Sequence, residues 1–171
     1  MTRGLQRSLN RGGRRAAILR LTQKIINLTL PITDPGAALG FGSVAAMKFP
    51  EGNILMHGMA GQFIISTADA DIINTWTGNV AIGSTATADA TLSTTDIDMA
   101  QLTAIGAATL KVSPLLNVFS SGTQGGNIFD NTANLLVANI NMNIADASLS
   151  GAADMLINGY IVALITILGD D

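Results

Sequence analysis

Between Leu136 and Ile144 the chain alternates without a break. Leu136, Ala138, Ile140, Met142 and Ile144 fall on one side, and Val137, Asn139, Asn141 and Asn143 on the other. Successive side chains change face only in an extended strand. Amides on one face and aliphatics on the other describe a strand with one dry side. The same period of two returns in Ile26, Leu28, Leu30 and Ile32, set against Asn27, Thr29 and Pro31, and predicts a second half-buried strand with Pro31 near its end.

Other segments read as extended pieces separated by turns. Asp34-Pro35-Gly36 is a turn signal. Val44–Phe49 reads as a short strand stopped by Pro50-Glu51-Gly52, and Ile54–Ser66 as a strand bent or bulged at Gly58 and Gly61. Asn79–Gly83 and Ala86–Ser93 read as short strands or extended pieces, and Ala107–Val112 as another short strand. Ala68–Trp76 reads as a loop or single helical turn, and Asn117–Asn131 as a loop with one strand around Ile128-Phe129. Met155–Leu168 is the last strand, apolar on both faces from Ile161 onward except at Thr166. Such a strand lies in the middle of a core or turns its outer face to another subunit. Ile161, Ala163, Ile165 and Ile167 are the residues expected at a subunit contact. Many short strands, regular turns and no long helical pattern predict an all-β, antiparallel β-sandwich or jelly-roll-like domain.

Charge divides the chain in two. Residues 1–24 contain Arg3, Arg7, Arg11, Arg14, Arg15, Arg20 and Lys24 and no acid, whereas the rest holds Lys48 and Lys111 against all 12 Asp and Glu. The expected organisation is a basic N-terminal arm, 1–24, on a β-sandwich body, 25–171. Overall only 12% of residues are charged and 48% are apolar, about half the usual share of charge. A soluble monomer normally carries more, so a membrane, an amyloid-like state or an assembly has to account for the deficit. Run length argues against a membrane helix: the most apolar stretch, Tyr160–Leu168, falls well short of the ~20 residues a span needs. The N-terminus lacks the apolar run of a signal peptide, and Gly12-Gly13 interrupts the helix that an Arg-rich presequence needs.

Few residues invite chemistry. The chain has no Cys and one His, which excludes disulfides, thiolate metal sites and a Cys nucleophile. His57 stands without a Cys or acidic neighbour and reads as structural. Asp69/Asp71 and Asp96/Asp98 are each spaced to share a strand face, but neither pair has the Gly and distal Glu of a calcium loop, so turn acids are the better reading. Gly122-Thr123-Gln124-Gly125-Gly126 lacks the Lys-Ser/Thr ending of a phosphate loop. Asn27-Leu28-Thr29 matches a glycosylation acceptor only formally, because it sits inside a strand. No catalytic residue, metal site or cofactor is expected. Nucleic-acid binding by the body is disfavoured by its acidity and its single Trp and Tyr. A phosphate contact through the arm alone stays open and would depend steeply on salt.

Several segments carry a resemblance. Phe49-Pro50-Glu51-Gly52-Asn53-Ile54-Leu55-Met56-His57-Gly58 resembles a strand opening of tailed-bacteriophage head proteins. Val80-Ala81-Ile82-Gly83 does too, with the following Thr85-Ala86-Thr87-Ala88-Asp89-Ala90-Thr91-Leu92. So does Leu136–Asn141, with Asp146-Ala147 and the closing Ile167-Leu168-Gly169-Asp170. Over residues 40–171 the chain is similar to capsid decoration, or cement, proteins. The resemblance implies a β-sandwich module, often trimeric, bound to major capsid protein on the outer surface of the head; that it is not an enzyme and has no membrane partner is expected from the residues alone. The arm lies outside it, so a capsid-binding role for Arg3, Arg7, Arg11, Arg14, Arg15, Arg20 and Lys24 rests on charge alone. The competing class is a fibre or adhesin module binding a host glycan, for which Trp76 and Tyr160 are the only Trp and Tyr on offer.

Overall fold

The computed structural model describes residues 17–36, 39–67, 69–73, 75–106, 112–120, 126–145 and 148–169. They form β1 (Leu19–Thr33), β2 (Gly40–Lys48), β3 (Gly52–Ser66), β4 (Gly78–Gly83), β5 (Ala100–Ala104), β6 (Leu116–Phe119), β7 (Ile128–Asn131), β8 (Val137–Ile144) and β9 (Ala153–Gly169). One 3-10 turn, Thr94–Asp96, precedes β5, and no α-helix occurs among the described residues. Every pairing is antiparallel, in the order β5-β4-β8-β2-β1-β9-β3-β6, with β7 on the start of β3.

The sheet curls until its ends meet. Ser120, just past β6, donates from Oγ to the Met99 carbonyl ahead of β5 and accepts the Met59 N–H at 2.7 Å. Asn127 Nδ2 reaches the Asp98 carbonyl at 3.2 Å. The outcome is a nearly closed, barrel-like sheet, and the all-β, jelly-roll-like class expected from the sequence is the one observed. Its interior is aliphatic: Leu30, Ile54, Met56, Ile65, Ile82, Ile140, Met142, Met155 and Ile157 are buried together with Phe63 and Trp76. Each such side chain contributes about 1.5–3 kcal/mol through its removal from water.

β1 begins earlier than the alternation suggested and changes parity on the way. Leu21 and Ile25 face inward opposite Ala163 and Gly159, whereas Leu28 and Leu30 face inward opposite Ile157 and Met155. The odd-to-even switch is a bulge between Ile25 and Leu28. At the bulge Asn27 takes a positive φ of 48° and donates its N–H to Asn158 Oδ1 at 2.8 Å. Ile26, expected inside, is therefore 64% exposed. Arg20 and Lys24 stand on β1 and not on an arm that precedes it.

Of the two bends expected in β3, one is present. The register shifts between Met56 and Gly58 but runs straight through Gly61. Gly61 serves close packing instead: a Cβ there would meet the Phe63 ring at 2.4 Å.

β8 is buried on both faces, not one. Its aliphatics enter the core, and Asn139, Asn141 and Asn143 lie beneath the segment Ser84–Asp98. Asn139 Nδ2 donates to the Ser84 carbonyl at 3.3 Å, Asn141 Nδ2 to the Thr85 and Asp96 carbonyls at 2.9 Å, and Asn143 Nδ2 to the Ala90 carbonyl at 2.9 Å. Ala86–Ser93, expected as a short strand or extended piece, is part of this loop and joins no ladder. Buried amides must be partnered, and a loop backbone without strand partners needs donors and acceptors of its own. Each requirement meets the other. Of the expected strand Ala107–Val112, only Val112 lies within the described residues, bridged to Ser66.

Candidate interface: an uncharged sheet face and a basic rim

In β9 the residues expected at a subunit contact point the other way. Ile161, Ala163 and Ile165 are fully buried in the core of their own chain, and Ile167 packs half-buried against it. The reason is parity: these four occupy the inward face, which β3 and β1 enclose on either side. The surface of β9 belongs to Leu156, Asn158, Tyr160, Val162, Leu164 and Leu168. Tyr160 and Leu164 are each 42% exposed.

Register extends this surface across three strands. Phe119 of β6 lies opposite Ala60 of β3, which lies opposite Val162 of β9. Asn117 follows with Gln62 and Tyr160, joined by a Gln62 Nε2 to Asn117 Oδ1 bond of 2.9 Å. Leu55 is opposite Thr166, and Ile64 opposite Asn158. Across this outer face of β3, β6 and β9, no side chain between Leu55 and Ser66, between Leu156 and Leu168, or at Asn117 and Phe119 carries charge.

Charge resumes on the next strand. On β1, Arg20 and Lys24 stand opposite Leu164 and Tyr160. Lys48 ends β2 on the same outer surface, opposite Val137. These are the three cations among the described residues, so one rim holds them all. Arg3, Arg7, Arg11, Arg14 and Arg15 lie outside the described residues, and the chain enters β1 at this rim.

The rim also marks a split in the sheet. β1 pairs with β9 from Leu19 to Ile32, yet with β2 only at Ile32 and Thr33. Between the diverging strands lie a groove of about 300 Å³ lined by Leu21, Thr22, Gln23, Met47, Lys48, Phe49 and Pro50, and one of about 420 Å³ along Gln23, Ala45, Ala46, Met47, Lys48 and Val137. Leu21, Leu28, Val44 and Ala46 pack on the core beside this split but stay only partly buried.

The titratable groups singled out in the sequence have structural partners. Asp69 accepts the Asp71 N–H at 3.1 Å and the Asp154 N–H at 2.9 Å, and Asp71 accepts the Ser150 hydroxyl at 2.9 Å. Asp96 receives the Ser93 N–H at 3.3 Å. Asp98 holds Ser84 through both N–H, at 2.7 Å, and Oγ, at 2.6 Å. Burial pushes the Asp98 carboxyl above its ordinary value, while the two Ser84 bonds pull it down. The i, i+2 pairs thus hold loop backbone and hydroxyls, and no cluster of three metal-ligating side chains occurs among the described residues. His57 Nε2 lies 2.8 Å from Thr166 Oγ1 on the outer face. Trp76 is completely buried, which removes it as a platform for a sugar ring.

No protein-family model and no curated protein sequence matches the chain. Solved viral structures show a loose likeness. A chain of Turnip yellow mosaic virus is 13% identical with a TM-score of 0.37, the match covering 90% of this chain and 98% of that one. A chain of Desmodium yellow mottle tymovirus is 9% identical with a TM-score of 0.34, over 89% and 90%. For infectious bursal disease virus, Gx strain, the identity is 11% and the TM-score 0.36, over 91% of this chain and 34% of that one. The fold assignment rests on the strand ladders themselves.

Proposed function

We propose that this chain is a virion structural protein: a head decoration, or cement, protein that binds a shell of major capsid protein as a trimer and stabilises it. The observation that carries this reading is the neutral, partly apolar outer face of β3, β6 and β9 beside a rim that gathers every described cation. A face without charge, bearing Phe119, Tyr160 and Leu164, is what an assembly covers and a free monomer avoids. The resemblance of residues 40–171 to decoration proteins supports the same conclusion from the sequence.

The action is mechanical. Contacts between copies bury the neutral face, and area buried between neighbouring capsomers opposes outward pressure on the shell. The arm supplies attachment: Arg3, Arg7, Arg11, Arg14 and Arg15, followed by Arg20 and Lys24 on β1, pair with carboxylates of the shell through charge-assisted bonds. Such pairing weakens as salt rises. The position in the virion is the outer surface of the head.

The test is co-sedimentation with shells of the source virus stripped of this chain. The full chain pellets with the shells, and a chain lacking residues 1–16 stays folded in the supernatant. Equal pelleting of the two sinks attachment through the arm, and failure of the full chain to pellet sinks the decoration role.

A further inference from the structure

The split between β1 and β2 has the form of a place for one more strand. From Leu19 to Ile25, β1 has a ladder on its β9 side and none on its β2 side among the described residues. That is seven residues ahead of the Asn27 bulge, about the length of an ordinary strand. The two faces of the gap differ. Inside it Leu21 and Val44 are left half-covered. Outside it stand Arg20, Lys24 and Lys48.

We infer that this edge binds an extended acidic segment of another protein by strand addition, with aliphatic side chains at alternate positions and carboxylates between them. The backbone ladder supplies affinity and the alternation supplies specificity. Cross-strand neighbours of opposite charge attract and those of like charge repel. That rule disfavours the chain's own arm, whose Arg7, Arg11, Arg14 and Arg15 would stand beside Arg20, Lys24 and Lys48. It equally disfavours the β1 edge of a second copy. Lys24 and the bulge limit promiscuous edge pairing and leave Leu19–Ile25 open to a partner of matching charge. That the segment belongs to the shell subunit rests on the proposed function. The edge does not, and its test needs no shell.

The probe is an eight-residue peptide of four Val-Glu repeats, with four Val-Lys repeats as control, titrated against the full chain by fluorescence anisotropy. The Val-Glu peptide binds more weakly as salt rises, and slows exchange of the alternate amides of Leu19–Ile25 that point away from β9. The double variant Lys24→Glu/Lys48→Glu keeps its thermal melt but binds the peptide at least tenfold more weakly. Equal binding of the two peptides, no binding of the Val-Glu peptide, or slow exchange before any peptide is added at those amides of Leu19–Ile25 that point away from β9 overturns the inference. The last result would mean that the arm or a second copy already fills the gap.

Discussion

Asn141 ties down Asp96 from a strand 45 residues away: its Nδ2 donates to the Asp96 carbonyl at 2.9 Å. The same amide donates to the Thr85 carbonyl at 2.9 Å and accepts from Ser43 Oγ at 2.6 Å and from the Thr87 N–H at 3.1 Å. All four of its bonding positions are used, with no surface exposed. Asn141→Ala strands two part-buried carbonyls and a buried N–H, at a cost of about 3 kcal/mol. Asn117→Ala, which breaks an exposed bond to Gln62, stays within about 0.5 kcal/mol. Urea midpoints of the two variants check the contrast.

Asp98 links stability to pH. Its carboxyl sits above its ordinary value of 3.8 because of burial, so the folded chain binds its proton more readily than the unfolded chain. The ionised form is the costly one. This contribution to stability therefore falls as pH rises from 3.8 through the raised folded value, and the cost disappears below 3.8. Asp98→Asn keeps an acceptor for the Ser84 N–H and removes the linkage, so the slope of stability against pH just above 3.8 flattens. Asp98→Ala leaves Ser84 without its acceptor and costs about 1–3 kcal/mol at neutral pH. Denaturation series across pH measure both.

Gly159 separates crowding from strain. It adopts φ +154° inside β9, and a Cβ there would lie 1.9 Å from the Gln62 carbonyl oxygen. Gly159→Ala forces β3 and β9 apart and lowers stability by about 3 kcal/mol or more. Gly36, with φ +87° and nothing within 4 Å of the added atom, tolerates Ala at about 1 kcal/mol. Thermal melts of the two variants order them.

Leu164→Asp tests the outer face without touching the core. Leu164 is 42% exposed and opposite Arg20, so the carboxylate has water and a cation beside it and the single chain still folds. A covered interface does not tolerate a new charge so easily. The variant is expected to keep the wild-type circular dichroism spectrum and to lose self-association in sedimentation velocity.

What was legible in the sequence follows from what side-chain alternation encodes. Alternation reports face, so β8 and the strand class could be read from Val137–Ile144 directly. It does not report what lies over a face. Asn139, Asn141 and Asn143 looked wet because amides usually are, and their partners, the distant loop Ser84–Asp98 together with Ser43 and Asn79, make their burial favourable. The same gap hid which face of β9 turns inward. With both faces of β9 apolar, Ile161 and Ile165 could not be told from Leu164 until β1 and β3 fixed the inward parity. In β1 the pattern Leu19, Leu21, Gln23, Ile25 was present, but Arg20 and Lys24 interleave with it and the Asn27 bulge reverses it. The β1–β2 split left no local trace, since it is a relation between strands.

The mass of the free chain in solution reports whether copies cover the outer face of β3, β6 and β9. Size-exclusion chromatography with light scattering, at tens of micromolar and moderate salt, is expected to give about three times the 17.6 kDa of one chain, shifting to one chain with Leu164→Asp. A stable, soluble monomer of the unaltered chain across that concentration range would contradict that covering.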